Sequence, residues 1–289
     1  MDTADELDVL GFGNKTNESS TSNENRPLSR PTCDEYYDMS NKRRGIALVF
    51  CHMNFAVMAK RNGTDKDRDD ICSTLSGLDF DVRVFNDLRR KELLRTLKNV
   101  SREDHSENDC LVVVVMSHGD QGVLYASDKK YYVDSLWEKF TGNACPSLIG
   151  KPKLFFVQAS RERQPGKKGE GGREEESQAS VDVVDSPNDS SALYFIPTMA
   201  DFLVMYSTYD GYYSGKDPLQ RSCLIQSLCM ELDENGRERD LLALLTGVSR
   251  RALYTCESSV PHNEKDNALK PIPCVVSMLT KTFFFTKKT

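Results

Sequence analysis

The 289-residue chain carries a net charge of −6 with mixed signs and 9 cysteines. Its length allows one large domain or two small ones, and its acidic balance argues against nucleic acid as the main partner. The longest apolar run, Leu111 to Met116, is far too short to span a bilayer, so no membrane partner is expected. Residues 1 to about 43 are polar and charged with few aliphatics, which reads as a disordered acidic leader without a signal peptide. Structure is predicted to begin at Gly45-Ile-Ala-Leu-Val-Phe50, a continuous apolar strand followed by His52. Asn62-Gly63 marks a turn, and Thr64 is placed to cap a helix whose apolar face is Ile71, Leu75 and Leu78. Phe80 to Phe85 alternates as a second strand, and Asp87 is read as the start of a helix carrying Leu93, Leu94, Leu97 and Val100.

Cys110 to Met116 is the most apolar strand and ends at Ser117-His118-Gly119-Asp120. A short helix is expected over Val133 to Phe140, then a strand over Leu154 to Val157 that stops at Gln158-Ala159-Ser160. Residues 161 to 192 are rich in Gly and charge and read as a flexible linker. Ala200 to Thr208 forms a fifth strand with a loop at its carboxyl end. Leu224, Ile225, Leu228 and Leu232 mark one helix, and Leu241, Leu245, Val248 and Ala252 mark another. Pro271 to Leu279 and Phe283 to Phe285 close the chain as apolar segments that need a cover, which a second chain at the sheet edge would supply.

Strands alternating with helices predict an α/β fold with a parallel sheet covered on both faces. Right-handed crossovers bring the strand carboxyl ends to one edge. Four groups therefore converge there: Arg61, His118-Gly119, Gln158 to Ser160, and Tyr206-Ser207 with the following loop. A His beside a nucleophile-type side chain and backbone N–H donors suits acyl transfer. A solvated or capping His is the commoner reading of these residue types taken alone. The scattered, odd cysteine count shows no metal-ligand spacing and fits a reducing cytosol. Cys51, Cys110 and Cys274 lie in apolar runs and read as buried thiols. No metal or cofactor is expected, and the location expected is cytoplasmic.

The motifs resemble the caspase family, of the short-leader effector type and insect-like. Ser117-His118-Gly119 is similar to its His-Gly element, and Gly150-Lys-Pro-Lys-Leu-Phe-Phe-Val-Gln-Ala159 to the strand leading to its catalytic cysteine. Asp201-Phe-Leu, Tyr206-Ser-Thr208 and Gly211-Tyr-Tyr-Ser214 resemble the start of its small subunit. Ile225-Gln-Ser-Leu-Cys229 and Ile272 to Lys281 resemble its later elements. The resemblance implies a three-layer sandwich around a mostly parallel six-stranded sheet. It implies a leader over 1–43, a large-subunit-like part over 44–160, a linker over 161–192 and a small-subunit-like part over 193–289. It implies cleavage after aspartate by a Cys–His dyad with backbone N–H groups holding the oxyanion, here at His118, Gly119 and position 160. The aspartate pocket would use Arg61, Gln158, Tyr206, Ser207 and a basic residue at Lys216.

Against the family pattern Gln-Ala-Cys-Arg-Gly, the nucleophile position holds Ser160 and the glycine is Glu162. The Trp-Arg expected after Tyr-Tyr-Ser is Gly215-Lys216. Lysine lacks the planar fork that grips a carboxylate. Serine needs a strong, well-oriented base where a cysteine is partly thiolate already. Two readings stay open. One is a homologue without proteolytic activity that pairs with an active caspase, or with itself, through the strand region 270–285, or acts as a decoy for caspase inhibitors or substrates. The other is an aspartate-specific endopeptidase with an altered pocket or a substituted nucleophile. Asp8 in the leader and Asp185 in the linker resemble caspase target sites.

Overall fold

The computed structural model describes residues 34–120, 122–160, 199–208, 221–255 and 272–288. The apolar runs become the strands β1 (Arg43–Cys51), β2 (Asp81–Asn86), β3 (Asn108–Asp120), β6 (Lys153–Ser160), β7 (Phe202–Tyr206) and β8 (Cys274–Ser277). They lie in the order β2-β1-β3-β6-β7-β8. All neighbours are parallel except β7 and β8, which run antiparallel. This is the expected α/β fold with a mostly parallel central sheet. Two short strands extend it, β4 (Val123–Tyr125) on β3 and β5 (Lys130–Tyr132) on β4.

Helices cover both faces. On one, α1 (Thr64–Gly77), α3 (Cys223–Asn235) and α4 (Leu241–Thr255) bury Ile71, Leu75, Leu224, Leu228, Leu245 and Val248 against the strands. On the other, α2 (Arg90–Val100) buries Leu93, Leu97 and Val100. β1 and β3 receive apolar cover from both sides, so their sequences show no alternation. No helix among the described residues is long and apolar enough to cross a membrane.

Several local expectations are corrected. Thr64 does not cap α1: Gly63 takes that position with φ 76°, and Thr64 Oγ1 donates to the Arg61 carbonyl at 3.0 Å. Asp87 does not start α2, which begins at Arg90. Instead Asp87 accepts the backbone N–H groups of Met53 and Asn54 at 2.7 and 3.0 Å, pinning the loop after β1. The helix expected over Val133 to Phe140 is two 3-10 turns, Val133–Leu136 and Glu138–Phe140. Cys274 is partly exposed because β8 is an edge strand, and Cys223 is disulfide-bonded rather than a free thiol. Sulfur pairing follows proximity in space, which spacing along the chain does not report.

Packed structure starts ahead of Gly45. Tyr36 bridges Thr282, and Tyr37 N–H donates to the Thr282 carbonyl at 3.0 Å. Tyr37 is buried and donates its hydroxyl to Asp201 Oδ1 at 2.7 Å while accepting the Thr280 N–H at 3.0 Å. Phe283 and Phe285 are buried too, their rings 4.7 Å apart, with Tyr37 and Phe80 at their edges. The expected pairing region 270–285 therefore shrinks, since its last aromatic residues are already covered within the chain. Beneath them Arg44 and Asp109 form a fully buried ion pair at 3.0 Å, and Lys288 joins Asp109. The first and last described segments thus clasp each other.

Tyr37→Phe removes two bonds from the buried Asp201–Thr280 network. It is expected to lower unfolding stability by about 1–3 kcal/mol, read as a lower urea midpoint with an unchanged slope.

Candidate active site

The pairing of β3 with β6 builds the site. Their register sets Met116 opposite Gln158, Ser117 opposite Ala159 and His118 opposite Ser160. Neighbouring strands lie about 4.8 Å apart, so residues 42 positions apart along the chain (160 − 118 = 42) become neighbours. His118 and Gly119 lie within β3 rather than beyond it, because β4 extends the pairing: Gly119 faces Leu124. Gly119 is required by packing. A Cβ there would sit 2.8 Å from the Ala159 Cβ and 3.1 Å from a Leu124 methyl.

The loop after β1 supplies the histidine's support. His118 Nε2 lies 2.8 Å from the Ala59 carbonyl oxygen. A carbonyl only accepts, so Nε2 carries the proton and Nδ1 is the basic nitrogen of the neutral ring. The Phe55 ring packs on the imidazole at 4.8 Å between centroids. Neither residue was identifiable from sequence: the Ala59 contribution is a backbone atom, and Phe55 is an ordinary aromatic in a loop. His52, at the root of the same loop, is buried, and its Nε2 donates to the Leu88 carbonyl at 3.1 Å. Burial pulls the His52 pKa down to about 4, against the pull of that bond and of Asp87.

Arg61 follows Ala59 by two residues and is fully buried. Its backbone N–H donates to Met53 O at 2.9 Å, and Nη1 donates to His52 O at 3.2 Å. Nε and Nη2 have no hydrogen-bond partner among the described residues. Burial lowers the guanidinium pKa to about 10, with the Cys51 and Asp67 charges opposing the shift. Arg61 therefore remains cationic at neutral pH. Gln158 is buried near the end of β6, and Ser207 is tied to Ala159, its Oγ 3.3 Å from the Ala159 carbonyl. A cleft of about 310 Å³ opens at the ends of β3, β6 and β7, lined by Gly119, Leu124, Val157, Ala159, Tyr206 and Ser207 among others.

The structure thus brings Arg61, His118, Gly119, Gln158, Ser160, Tyr206 and Ser207 to one end of the sheet, as the strand order predicts. Glu162, Gly215, Lys216, Asp8 and Asp185 lie outside the described residues.

A caspase-domain model matches residues 44–284. The chain belongs to the caspase family. It is 42% identical over 255 residues to Caspase drICE of Drosophila melanogaster, covering 87% of this chain and 73% of that protein. It is 38% identical over 288 residues to Caspase-1 of Spodoptera frugiperda, covering 98% and 91%. The crystal structure of the Spodoptera caspase-1 superposes with a TM-score of 0.75 at 39% identity, over 91% of this chain and 96% of that one. In this caspase chain, then, His118 and Ser160 are register partners on adjacent strands.

The depressed His52 pKa has a measurable consequence. The unfolded chain takes up this proton near pH 6.5 and the folded chain only near pH 4. Stability from neutral His52 is complete above about pH 6.5 and is lost as the pH falls toward 4, by on the order of 3 kcal/mol in total. Urea unfolding across that window should show a shallower loss in His52→Gln than in the unmodified chain.

Proposed function

We propose that this caspase homologue binds without cleaving and regulates apoptosis by pairing with an active caspase or by acting as a decoy for caspase inhibitors or substrates. The observation that carries the reading is Ser160, which stands where the family pattern has cysteine and lies opposite His118 in the β3–β6 register. A cysteine thiol ionises near neutral pH and asks little of its histidine. A serine hydroxyl must lose its proton during attack, and the imidazolium formed needs a buried carboxylate behind it. Removing that carboxylate from a serine hydrolase costs about 10⁴ in kcat. The His118 Nε2 contact with the Ala59 carbonyl is to a neutral acceptor, which steadies an imidazolium less than a carboxylate does. Glu162, Gly215 and Lys216 add to the departure from the family pattern.

Binding is better served than cleavage. Arg61 remains buried and cationic, with two N–H-bearing nitrogens unpaired among the described residues, which suits an aspartate carboxylate. That same feature favours the second reading, an aspartate-specific endopeptidase. Tetrapeptide aspartate reporters separate the two. The two-chain form of the unmodified protein should show no turnover, and Ser160→Cys should raise activity by about 10³ or more. Turnover by the unmodified chain would overturn the non-cleaving reading, and silence in Ser160→Cys would place a further lesion in the pocket.

Pairing is argued from the two sheet edges. β2 carries Asp81 and Arg83, and its Arg83 pairs with Asp81 and Glu103. Charges of this kind discourage edge-to-edge association. β8 is Cys-Val-Val-Ser, uncharged, with Val276 46% and the preceding Ile272 51% exposed. An uncharged, half-apolar edge suits a second caspase chain, either another copy or an active relative. Val276→Lys is expected to shift the protein to monomer in sedimentation and to abolish any change it causes in the activity of an added caspase.

A further inference from the structure

Asp67, in the first turn of α1, stands near two guanidinium groups and is ion-paired with one of them. It is 1% exposed. Its Oδ2 accepts the Ser222 backbone N–H at 2.9 Å, and its Oδ1 lies 3.5 Å from Arg221 Nε. Arg221 extends to Asp70 as well. Arg221 and Ser222 directly precede α3, so these contacts fasten the start of that helix to α1. On the other side is Arg61. The Asp67 charge acts on it electrostatically, yet the two make no ion pair.

Arg61 has reason to seek one. A buried guanidinium with Nε and Nη2 unpaired among the described residues is costly, and a carboxylate would relieve that cost. Asp67 follows six residues later on the same loop-to-helix junction and could supply it. What occupies Asp67 instead is the cation and N–H on the α3 side.

We infer that Arg221 is a specificity-determining positioning residue: by engaging Asp67, it keeps Arg61 open to a carboxylate from outside the chain. With Arg221 gone, Oδ1 has lost its cation on the α3 side and pairs with Arg61, closing the pocket from within. The surrounding charge also becomes more negative, which repels an acidic ligand. The inference rests on the proposal that Arg61 receives the carboxylate of an aspartate peptide.

The test uses the full chain with Ser160 in place and two readouts. One is the anisotropy of a fluorescein-labelled tetrapeptide ending in aspartate. The other is the solvent exchange of the Arg61 Nε–H, followed by arginine-selective NMR. Arg221→Gln should weaken peptide binding about tenfold or more and slow the Arg61 exchange. Adding Asp67→Asn should restore both, with binding returning to within about threefold. Arg221→Lys, which keeps a cation beside Asp67, should also stay within about threefold. A merely structural role predicts the opposite, since removing a second contact from the same junction cannot repair it. Unchanged Arg61 exchange in Arg221→Gln, or no restoration in the double variant, overturns the inference. If the unmodified chain does not bind the peptide, the proposed ligand is wrong, and the Arg61 exchange alone decides whether Arg221 diverts Asp67.

Discussion

The pairing of β3 with β6 is the constraint on which the rest depends. Both strands are buried, and each is apolar over most of its length. A slip of one residue would turn every side chain to the opposite face, so burial specifies the register. That register sets His118 opposite Ser160 and Gly119 against Ala159. The glycine after the histidine is thus demanded by close packing, whatever its N–H contributes to a bound ligand. Residues far apart in sequence become a site because the core on both sides of the sheet permits only one alignment.

Around that pair, orientation is achieved mainly by backbone carbonyls. Ala59 O holds His118, Leu88 O holds His52, and His52 O holds Arg61. The nearby carboxylates are engaged elsewhere: Asp87 gathers the N–H groups of Met53 and Asn54, and Asp67 those of the α3 junction. Such a site sets neutral carbonyl acceptors against His118 and the buried Arg61 guanidinium. It suits a nucleophile that ionises on its own and a ligand that brings its own carboxylate.

The two ends of the folded unit are joined by a different kind of contact. Tyr37, Asp201 and Thr280 form one hydrogen-bonded cluster, and Arg44, Asp109 and Lys288 form one charged cluster. Each takes residues from both sides of the 161–192 segment. Tyr37, Asp201, Arg44 and Asp109 are buried, and Thr280 and Lys288 close the two clusters from nearer the surface. The clusters leave β8, rather than the final aromatic residues, as the part of the carboxyl-terminal region open to a partner.

Most of the fold was readable from periodicity alone. Continuous apolar runs marked the buried strands, and Ile71, Leu75, Leu93, Leu97, Leu228 and Leu245 marked the inward faces of the helices, because burial acts on side chains in fixed repeats. The candidate site residues Arg61, His118, Gln158 and Ser160 were readable from their places at or after strand ends and from the family motifs. The tertiary structure decided what no local pattern encodes: the Ala59 carbonyl behind His118, Asp87 as an anchor instead of a helix start, Tyr37 in the core, and Asp67 given to Arg221 rather than to Arg61. Each is a contact between a backbone atom or a common polar side chain and a partner brought near by folding. Residue type and spacing say which groups can bond; only the folded chain settles which of them meet.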